Sequence, residues 1–133
     1  MFKAKSVMVS NVITVEKDTD IYEAIRTMVE KNITGLPVVN DDMTLAGVIT
    51  EKDVLKLLYN MEDNAGKVEN YMTPEAVSFN EEESLIDIAE CFINNHFRRV
   101  PILRDGKVVG VISRKEIVAY ILKLRHQDKA AVG

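Results

Sequence analysis

The chain contains two copies of one sequence pattern, and this duplication limits its fold more than any other feature. Met8 aligns with Met72, and almost every apolar position then pairs with an apolar position, with one residue missing from the second copy. Three pairs of segments carry the match: VITV at 12–15 with AVSF at 76–79, LPVV at 36–39 with VPIL at 100–103, and GVIT at 47–50 with GVIS at 110–113. A fixed internal period is the mark of repeated structural units, so we predict two small units of one design.

The predicted organisation is two repeats and a tail. Residues 1–66 hold the first repeat with an N-terminal segment, residues 67–124 hold the second repeat, and residues 125–133 are expected to form a flexible tail. The chain has 133 residues, of which 47% are apolar and 29% are charged, as in an ordinary globular protein. A chain of this size can bury a core without disulfides or metals.

Charge and cysteine content exclude several classes of function. The net charge of −4 argues against broad binding to nucleic acid or to an anionic membrane. The single cysteine, Cys91, excludes an internal disulfide and a multi-cysteine metal site. The longest apolar run, Ile117–Leu122, is far shorter than a membrane span, and the N-terminus lacks the apolar core of a signal peptide. We therefore expect a cytoplasmic protein.

Each copy predicts the order strand, helix, strand, strand, helix. The first helix of each copy has apolar residues at i, i+3, i+4, i+7 and i+8, which is one buried helical face. These residues are Ile21, Ala24, Ile25, Met28 and Val29 in the first copy, and Leu85, Ile88, Ala89, Phe92 and Ile93 in the second. The predicted strands are Ile13–Val15, Leu36–Val39 and Leu45–Thr50, then Val77–Phe79, Val100–Leu103 and Val108–Ser113; the closing helices are Glu51–Tyr59 and Arg114–Arg125.

The predicted fold class is α/β (α+β), with two βαββα repeats. One such repeat leaves a sheet face open and would be marginal alone. Two repeats can cover those faces by packing about a pseudo-twofold axis, which creates two equivalent clefts. Ligand sites favour such seams, so we expect any ligand there.

The closing helix of the first copy starts with a chemically useful pair, Thr50 and Asp53. The Thr50 hydroxyl and the first free N–H groups of that helix are suited to a phosphate, and an ionised Asp53 can accept hydrogen bonds from both hydroxyls of a ribose. The same pattern, like Ser113 and Glu116 in the second copy, is also a helix capping box. Such boxes are common, so on these residues alone capping is the better interpretation.

The chain resembles tandem cystathionine-β-synthase-type (CBS) domains, together called a Bateman module. The segments that carry the resemblance are the strand entries at 12–15 and 76–79, TGLPVV at 34–39, RRVPI at 98–102 and, most specifically, GVITEKD at 47–53. Membership would imply a regulatory module that binds AMP, ADP, ATP, S-adenosylmethionine or sometimes NAD between its repeats. It would also imply a homodimer through helices, shaped as a flat disc. Most relatives carry the module on an enzyme, channel or transporter, whereas here we expect a stand-alone module acting on an unknown protein.

The resemblance assigns site residues to two clefts, each drawing on both repeats. Cleft A takes Ile49, Thr50, Asp53, Val77, Ser78, Arg98, Arg99, Val100 and Pro101; cleft B takes Ile13, Thr14, Gly35, Leu36, Pro37, Ser113, Arg114 and Glu116. Cleft A keeps the aspartate of the family and has two arginines that suit phosphate oxygens. In cleft B the longer Glu116 is expected to overshoot a ribose. We therefore predict that cleft A is the main site and cleft B is weaker.

The sequence gives no support for an enzyme. It has no glycine-rich phosphate loop, no Ser-His-Asp order and no histidine pair with metal-ligand spacing. We therefore predict no catalytic residue, no metal and no cofactor other than the regulatory adenosine ligand. The alternative to ligand sensing is a ligand-free oligomerisation or adaptor domain, which pairs through the apolar stripes of Val54–Leu58 and Ile117–Leu122.

Overall fold

The computed structural model describes residues 2–59, 61 and 63–132. It contains two compact units, and neither is continuous in sequence. The first unit comprises Ile13–Ala76 with Gly106–Val108. The second unit comprises Met1–Val12, Val77–Asp105 and Val109–Gly133. The compact units do not follow the order of the two repeats along the chain, because the segment that precedes each repeat's first strand belongs to the unit of the other repeat.

The first unit is a four-stranded sheet with two helices. Its elements are β1 (Val15–Glu16), α1 (Ile21–Lys31), β2 (Gly35–Val39), β3 (Leu45–Thr50), α2 (Glu51–Val54) and β4 (Thr73–Pro74), with 3₁₀ turns at Leu55–Tyr59 and Val68–Asn70. The strand order is β1-β2-β3-β4. Strands β1 and β2 are parallel, and the other two pairs are antiparallel.

The second unit repeats this plan with three strands. Its elements are a 3₁₀ turn at Ala4–Ser6, then β5 (Phe79–Asn80), α3 (Leu85–Asn94), β6 (Arg99–Arg104), β7 (Lys107–Ser113) and α4 (Arg114–Val132). The strand order is β5-β6-β7, and β5 lies parallel to β6. The predicted α/β class and the strand, helix, strand, strand, helix order are therefore confirmed in both units.

The closing helices differ from their predicted lengths in opposite directions. The predicted helix Glu51–Tyr59 is α-helical only to Val54 and continues as a 3₁₀ turn. Leu57 is the only buried residue of that stretch, and a short helix needs tertiary packing to persist. In contrast, α4 runs to Val132, so the tail expected from residue 125 is helical, while Gly133 lies outside the described residues.

Each unit has its own hydrophobic core, and the predicted helix faces point into it. In α1 the buried residues are Ile21, Ala24 and Met28; in α3 they are Leu85, Ile88 and Phe92. The prediction was wrong at the last position of each face, because Val29 is 74% exposed and Ile93 is 80% exposed. These two residues align between the repeats, so the exposed apolar position is itself part of the repeated pattern.

Short segments from outside each repeat complete the two cores. Ala4 is fully buried in the core of the second unit, and its N–H group donates to the carbonyl of Glu83 at 2.9 Å. Val68 is fully buried in the core of the first unit, where its N–H group donates to the carbonyl of Thr19 at 2.9 Å. These contacts explain why the compact units are discontinuous.

The aligned methionines occupy the same place in the two units, against a strand glycine. A Cβ atom added at Gly110 would lie 2.6 Å from Sδ of Met8. One added at Gly47 would lie 3.0 Å from Sδ of Met72 and 2.5 Å from the carbonyl oxygen of Thr73. The shared packing position that the repeat predicts for these methionines is thus confirmed.

We expect Gly47→Ala to destabilise the protein more than Gly110→Ala. At Gly47 the added methyl group meets the backbone of Thr73, which must shift, whereas at Gly110 the three nearest atoms all belong to the side chain of Met8. Overpacking of this kind costs about 1–3 kcal/mol. Urea denaturation of both variants measures the difference, and a greater loss for Gly110→Ala would contradict the packing described here.

The N-terminal segment is also held by an ion-pair cluster. The ammonium groups of Lys3 and Lys5 lie 2.7 Å from the two carboxylate oxygens of Glu82. Hydrogen bonds from Lys3 and then Lys5, together with their charges, lower the pKa of Glu82 from 4.5 to about 2.

Lowering the pH should therefore remove a stabilising contribution of Glu82. Because its pKa is depressed on folding, the contribution is complete above about pH 5 and is lost as the pH falls towards 2. We expect Glu82→Gln to be less stable than wild type at pH 7, with a difference that shrinks as the pH falls towards 2, in thermal unfolding at a series of pH values. Glu90→Gln, on the exposed face of α3, serves as the control. A stability difference that does not change with pH would contradict this assignment.

Candidate functional site

The candidate site in the first unit lies where β3 ends and α2 begins. Thr50 is the last residue of β3, pairs with Gly35 of β2, and has an extended backbone. Asp53, three residues later, turns back towards it. Its Oδ2 atom accepts the Thr50 N–H at 2.8 Å and the Thr50 hydroxyl at 3.0 Å. We call this pair the Thr50 box. Both of the hydrogen bonds that the Asp53 carboxylate accepts in it end on one oxygen, Oδ2.

The second unit has the equivalent arrangement where β7 meets α4, which we call the Ser113 box. Here Glu116 uses both of its oxygens. Oε1 accepts the Ser113 N–H at 2.8 Å, and Oε2 accepts the Ser113 hydroxyl at 2.6 Å. The extra methylene of glutamate lets its carboxylate contact Ser113 through both oxygens. The Glu116 side chain thus folds back onto the start of its own helix. The expectation that its carboxylate overshoots a ribose stays a prediction.

Both boxes cap their helices, as the capping interpretation predicts. Capping therefore uses hydrogen-bonding groups that we expected a phosphate to contact. The N–H of Thr50 bonds to Asp53, and the N–H of Glu51 donates to the carbonyl of Thr34 at 3.0 Å. Our expectation that the first N–H groups are free for a phosphate was therefore wrong for these two. The Thr50 hydroxyl also points its proton at Asp53, so it must rotate before it can donate to a phosphate.

Each predicted cleft draws its remaining residues from both units. Ile49 is buried beside Thr50 in the first unit, as are the cleft B residues Gly35, Leu36 and Pro37, with Ile13 and Thr14 ahead of β1. The second unit holds Val77 and Ser78 ahead of β5, Arg98 ahead of β6, Arg99, Val100 and Pro101 within β6, and Arg114 on α4. The structure brings together the residues of each box, and the two full clefts stay predictions.

The apolar strand entries show one further repeated feature. Val77 is 42% exposed and Ile13, its counterpart in the first copy, is 36% exposed. Large apolar side chains at the start of a buried sheet are usually covered. Both side chains are therefore accessible at aligned positions, and the apolar wall of a ligand site stays a prediction.

Two basic residues have roles that the sequence did not indicate. Arg114 donates to the carbonyl of Asn95 at 3.2 Å, so it links α4 to the end of α3. Arg104, which the sequence suggested is ordinary surface charge, lies 2.9 Å from Oε1 of Glu81, a carboxylate residue only 8% exposed. Arg98 is exposed. No sequence pattern distinguishes Arg104 and Arg114 from the exposed Arg98, because the roles of the first two depend on carboxylate and carbonyl groups distant in sequence.

Within residues 2–59, 61 and 63–132, no group of three or more histidine, cysteine, aspartate or glutamate side chains is arranged to hold a metal ion. In the same described part of the chain, none of the helices combines the length and the apolar character needed to cross a bilayer.

Comparison with known proteins gives a family match over both repeats. The model of the CBS domain matches residues 4–60 and again residues 68–123. Among curated proteins, the chain is 35% identical over 130 residues to the inosine-5'-monophosphate dehydrogenase of Methanocaldococcus jannaschii, covering 97% of this chain and 25% of the enzyme. The chain spans 41% and 25% of the lengths of the first two curated relatives that it matches.

Solved structures of similar proteins have the same fold. The crystal structure of CBSX2 from Arabidopsis thaliana in complex with AMP matches with a TM-score of 0.85 and 31% identity, over 94% of this chain and 99% of that one. The CBS domain pair of protein MJ0100, in complex with 5'-methylthioadenosine and S-adenosyl-L-methionine, matches with a TM-score of 0.78 and 26% identity, over 91% and 96% of the two chains. Both matches extend over nearly the whole chain.

Proposed function

This chain belongs to the CBS domain family as a tandem pair, and we propose that it is a regulatory module that binds an adenosine-containing ligand at the Thr50 box and transmits its presence to a partner protein. The observation that carries this proposal is the use of a single oxygen of Asp53 in capping. It leaves the Oδ1 atom outside the box, on a half-buried residue of α2. Carboxylate oxygens accept the hydroxyl protons of a ribose.

The relatives support the class of ligand. CBSX2 binds AMP, and the MJ0100 pair binds 5'-methylthioadenosine and S-adenosyl-L-methionine. These compounds share an adenosine group and differ in the substituent at its 5' position. A site that recognises the ribose is compatible with all of them, so we propose that the site recognises adenosine. The experiment below determines which substituent at the 5' position is bound. The similarity to the dehydrogenase supports a regulatory role, because the region that matches this chain makes up only 25% of that enzyme.

A thermal-shift panel on nucleotide-free protein tests the proposal. The panel contains AMP, ADP, ATP, S-adenosylmethionine and NAD. A ligand that binds only the folded state, at 100 times its dissociation constant, adds about 2.7 kcal/mol of stability. We expect at least one compound to raise the melting temperature, and adenine alone to raise it less. If no compound has an effect, the ligand-sensing proposal fails.

A second candidate function, ligand-free pairing or adaptor activity, is favoured by a different observation. Three apolar side chains after each box are largely exposed, at positions that align between the repeats. They are Leu55, Leu58 and Tyr59 in the first unit, exposed by 61, 73 and 92%, and Val118, Ile121 and Leu122 in the second, exposed by 65, 60 and 59%. Such repeated apolar exposure is typical of an interface, and we propose that these side chains form the interface of a homodimer.

We expect Ile121→Glu to convert a dimer into a monomer. Light scattering coupled to size exclusion should give twice the chain mass of 15.0 kDa for wild type and a single chain mass for the variant. Gln127→Glu introduces the same single negative charge at an exposed position of the same helix and is the matched control. A wild-type protein that remains monomeric at high concentration would contradict the proposed dimer, without bearing on ligand binding.

A further inference from the structure

We propose that a pair of reversed charges selects which unit each of two aligned segments completes. The N-terminal segment (residues 2–9) lies in the second unit, and the linker segment (residues 66–73) lies in the first. The selection is made at two contacting positions whose charges are opposite in the two units. This inference goes beyond the proposed function, since it concerns how the chain folds and holds whether or not a ligand binds.

Both segments dock through the same backbone hydrogen bonds. The N-terminal segment docks on residues 80–85 and the linker segment on residues 16–21, which we call the receiving stretches. The bonds join aligned residues and are 2.7–3.0 Å long. Donor and acceptor are Ala4–Glu83, Lys5–Glu81 and Leu85–Phe2 in the second unit, and Val68–Thr19, Glu69–Lys17 and Ile21–Gly66 in the first. Side chains take no part in these bonds, so the bonds fit either segment in either unit.

This equivalence creates a competing arrangement. Each segment directly precedes one repeat and could dock on that repeat, which would make both repeats continuous in sequence. In the structure the two segments are exchanged instead, which is an internal form of domain swapping. Because the backbone bonds are the same in both arrangements, any preference of the docking surfaces comes from their side chains.

The charged side chains differ between the units in a compensated way. The two segments carry opposite charges at one aligned position, with Lys5 in one and Glu69 in the other. The receiving stretches also carry opposite charges at one aligned position, with Glu81 in one and Lys17 in the other. These are the positions that share a backbone hydrogen bond, so a reversal on the segment meets a reversal on the stretch that receives it.

The second unit makes the stronger selection. Its receiving stretch has three consecutive acids, Glu81, Glu82 and Glu83, and the Lys5 ammonium lies 2.7 Å from Oε1 of Glu82. Glu81 is buried, and one of its oxygens pairs with Arg104. Its other oxygen, Oε2, has no hydrogen-bond partner in the described part of the chain. A further carboxylate beside this group would add repulsion where water screens it least.

The exchanged arrangement avoids two contacts between like charges. If each segment docked on its own repeat, Lys5 would lie beside Lys17, and Glu69 would lie beside Glu81 and its acidic neighbours. The first unit contributes less to the selection, because Asp18 lies next to Lys17 and partly offsets its charge. Specificity depends on unfavourable contacts in the wrong pairing as well as on favourable contacts in the right one.

A difference in size acts in the same direction. Ala4 and Val68 occupy aligned positions, and both are fully buried in the cores that their segments complete. Docking on the wrong unit would put the valine into the space of the alanine and leave a cavity where the valine was. Overpacking and cavities both destabilise a core.

Exchanging the two charges tests the inference without changing the composition. The variant Lys5→Glu with Glu69→Lys keeps the net charge, and Lys123→Glu with Glu90→Lys makes the same exchange at two exposed helix positions as the matched control. We expect the first to melt about 3–6 °C below wild type and the control to melt within about 1 °C of it. In 1 M NaCl the loss should fall to less than about half, because salt screens the repulsion.

Disulfide cross-linking then reports which unit holds the N-terminal segment. An isolated antiparallel bridge joins Lys3 to Ser84, and the aligned bridge joins Lys67 to Asp20. Facing residues of an antiparallel pair are close enough for a disulfide. In a Cys91→Ser background, Lys3→Cys with Ser84→Cys therefore reports the exchanged arrangement, and Lys3→Cys with Asp20→Cys reports the competing one.

Each cysteine pair is refolded from urea under mild oxidation, and cross-linked monomer is measured on a non-reducing gel. With native charges we expect the exchanged pair to cross-link and the competing pair to stay at background. With the charges at Lys5 and Glu69 exchanged, we expect the competing pair to rise at least about fivefold, and the helix control to leave both yields unchanged. A competing pair that stays at background in the exchanged variant would overturn the inference, even if that variant melts earlier. Cross-linking of the competing pair with native charges would overturn it as well.

Discussion

Replacing Ala4 with aspartate is expected to unfold the second unit. Ala4 is fully buried among Leu85, Ile88 and Phe92 of α3 and their neighbours, although it precedes the first repeat in sequence. A carboxylate at this position would lie in a cluster whose described members are all hydrophobic. Burial of an unpaired polar group costs several kcal/mol, which is a large fraction of the stability of a domain this size.

Ser6→Asp is the matched control for this prediction. Ser6 lies in the same 3₁₀ turn as Ala4 but is exposed. Thermal unfolding should show a loss of the cooperative transition, or a shift of more than about 10 °C, for Ala4→Asp only. If the two variants unfolded at the same temperature, the N-terminal segment would not be part of the second core, and the discontinuous units described here would be wrong.

Asp53→Ala is expected to weaken AMP binding by about 10- to 100-fold, while Glu116→Ala changes it by less than about twofold. Both variants lose a capping interaction worth about 0.5–2 kcal/mol, so each is the stability control for the other. Only Asp53 has an oxygen outside its box, so its removal alone should affect the ligand. Calorimetric titration with AMP measures the affinities, and equal losses in the two variants would contradict the ranking of the two boxes.

Asp53→Asn separates capping from ligand recognition. The asparagine oxygen can still accept the Thr50 N–H, but its second atom is an amide nitrogen that donates and cannot accept a ribose hydroxyl. We therefore expect this variant to unfold close to wild type and to bind AMP as poorly as Asp53→Ala. Wild-type affinity in Asp53→Asn would show that the carboxylate does not contact the ribose.

The main elements of the fold could be predicted because their signals are local and repeated. The period of 3.6 residues marks α1 and α3, and three of the five predicted positions on each helix are buried in its core. Strand β3 has the predicted bounds, Leu45–Thr50, because a β-branched run meets a helix-capping residue there. The duplication supports each assignment, because chance rarely produces the same pattern in both repeats.

Contacts between distant segments could not be predicted in the same way. Nothing near Ala4 indicates which core it enters, because a lone alanine among polar residues has no periodicity. Strand β4 has only two residues, one of them Pro74, and proline is acceptable there only because β4 lies at the edge of the sheet. The sequence identified both boxes and their capping role. The difference between one-oxygen and two-oxygen capping depends on a single methylene and became visible only in the structure.

The most direct test of the account is an NMR titration of the protein with AMP. The backbone amide of Thr50 donates to Asp53 in the Thr50 box, and that of Ser113 donates to Glu116 in the Ser113 box, so each amide signal reports on one box. We predict that the Thr50 signal shifts and saturates with AMP while the Ser113 signal stays near its starting position. A saturable shift elsewhere in the spectrum with the Thr50 and Asp53 signals unchanged would contradict the proposal that the Thr50 box holds the ligand.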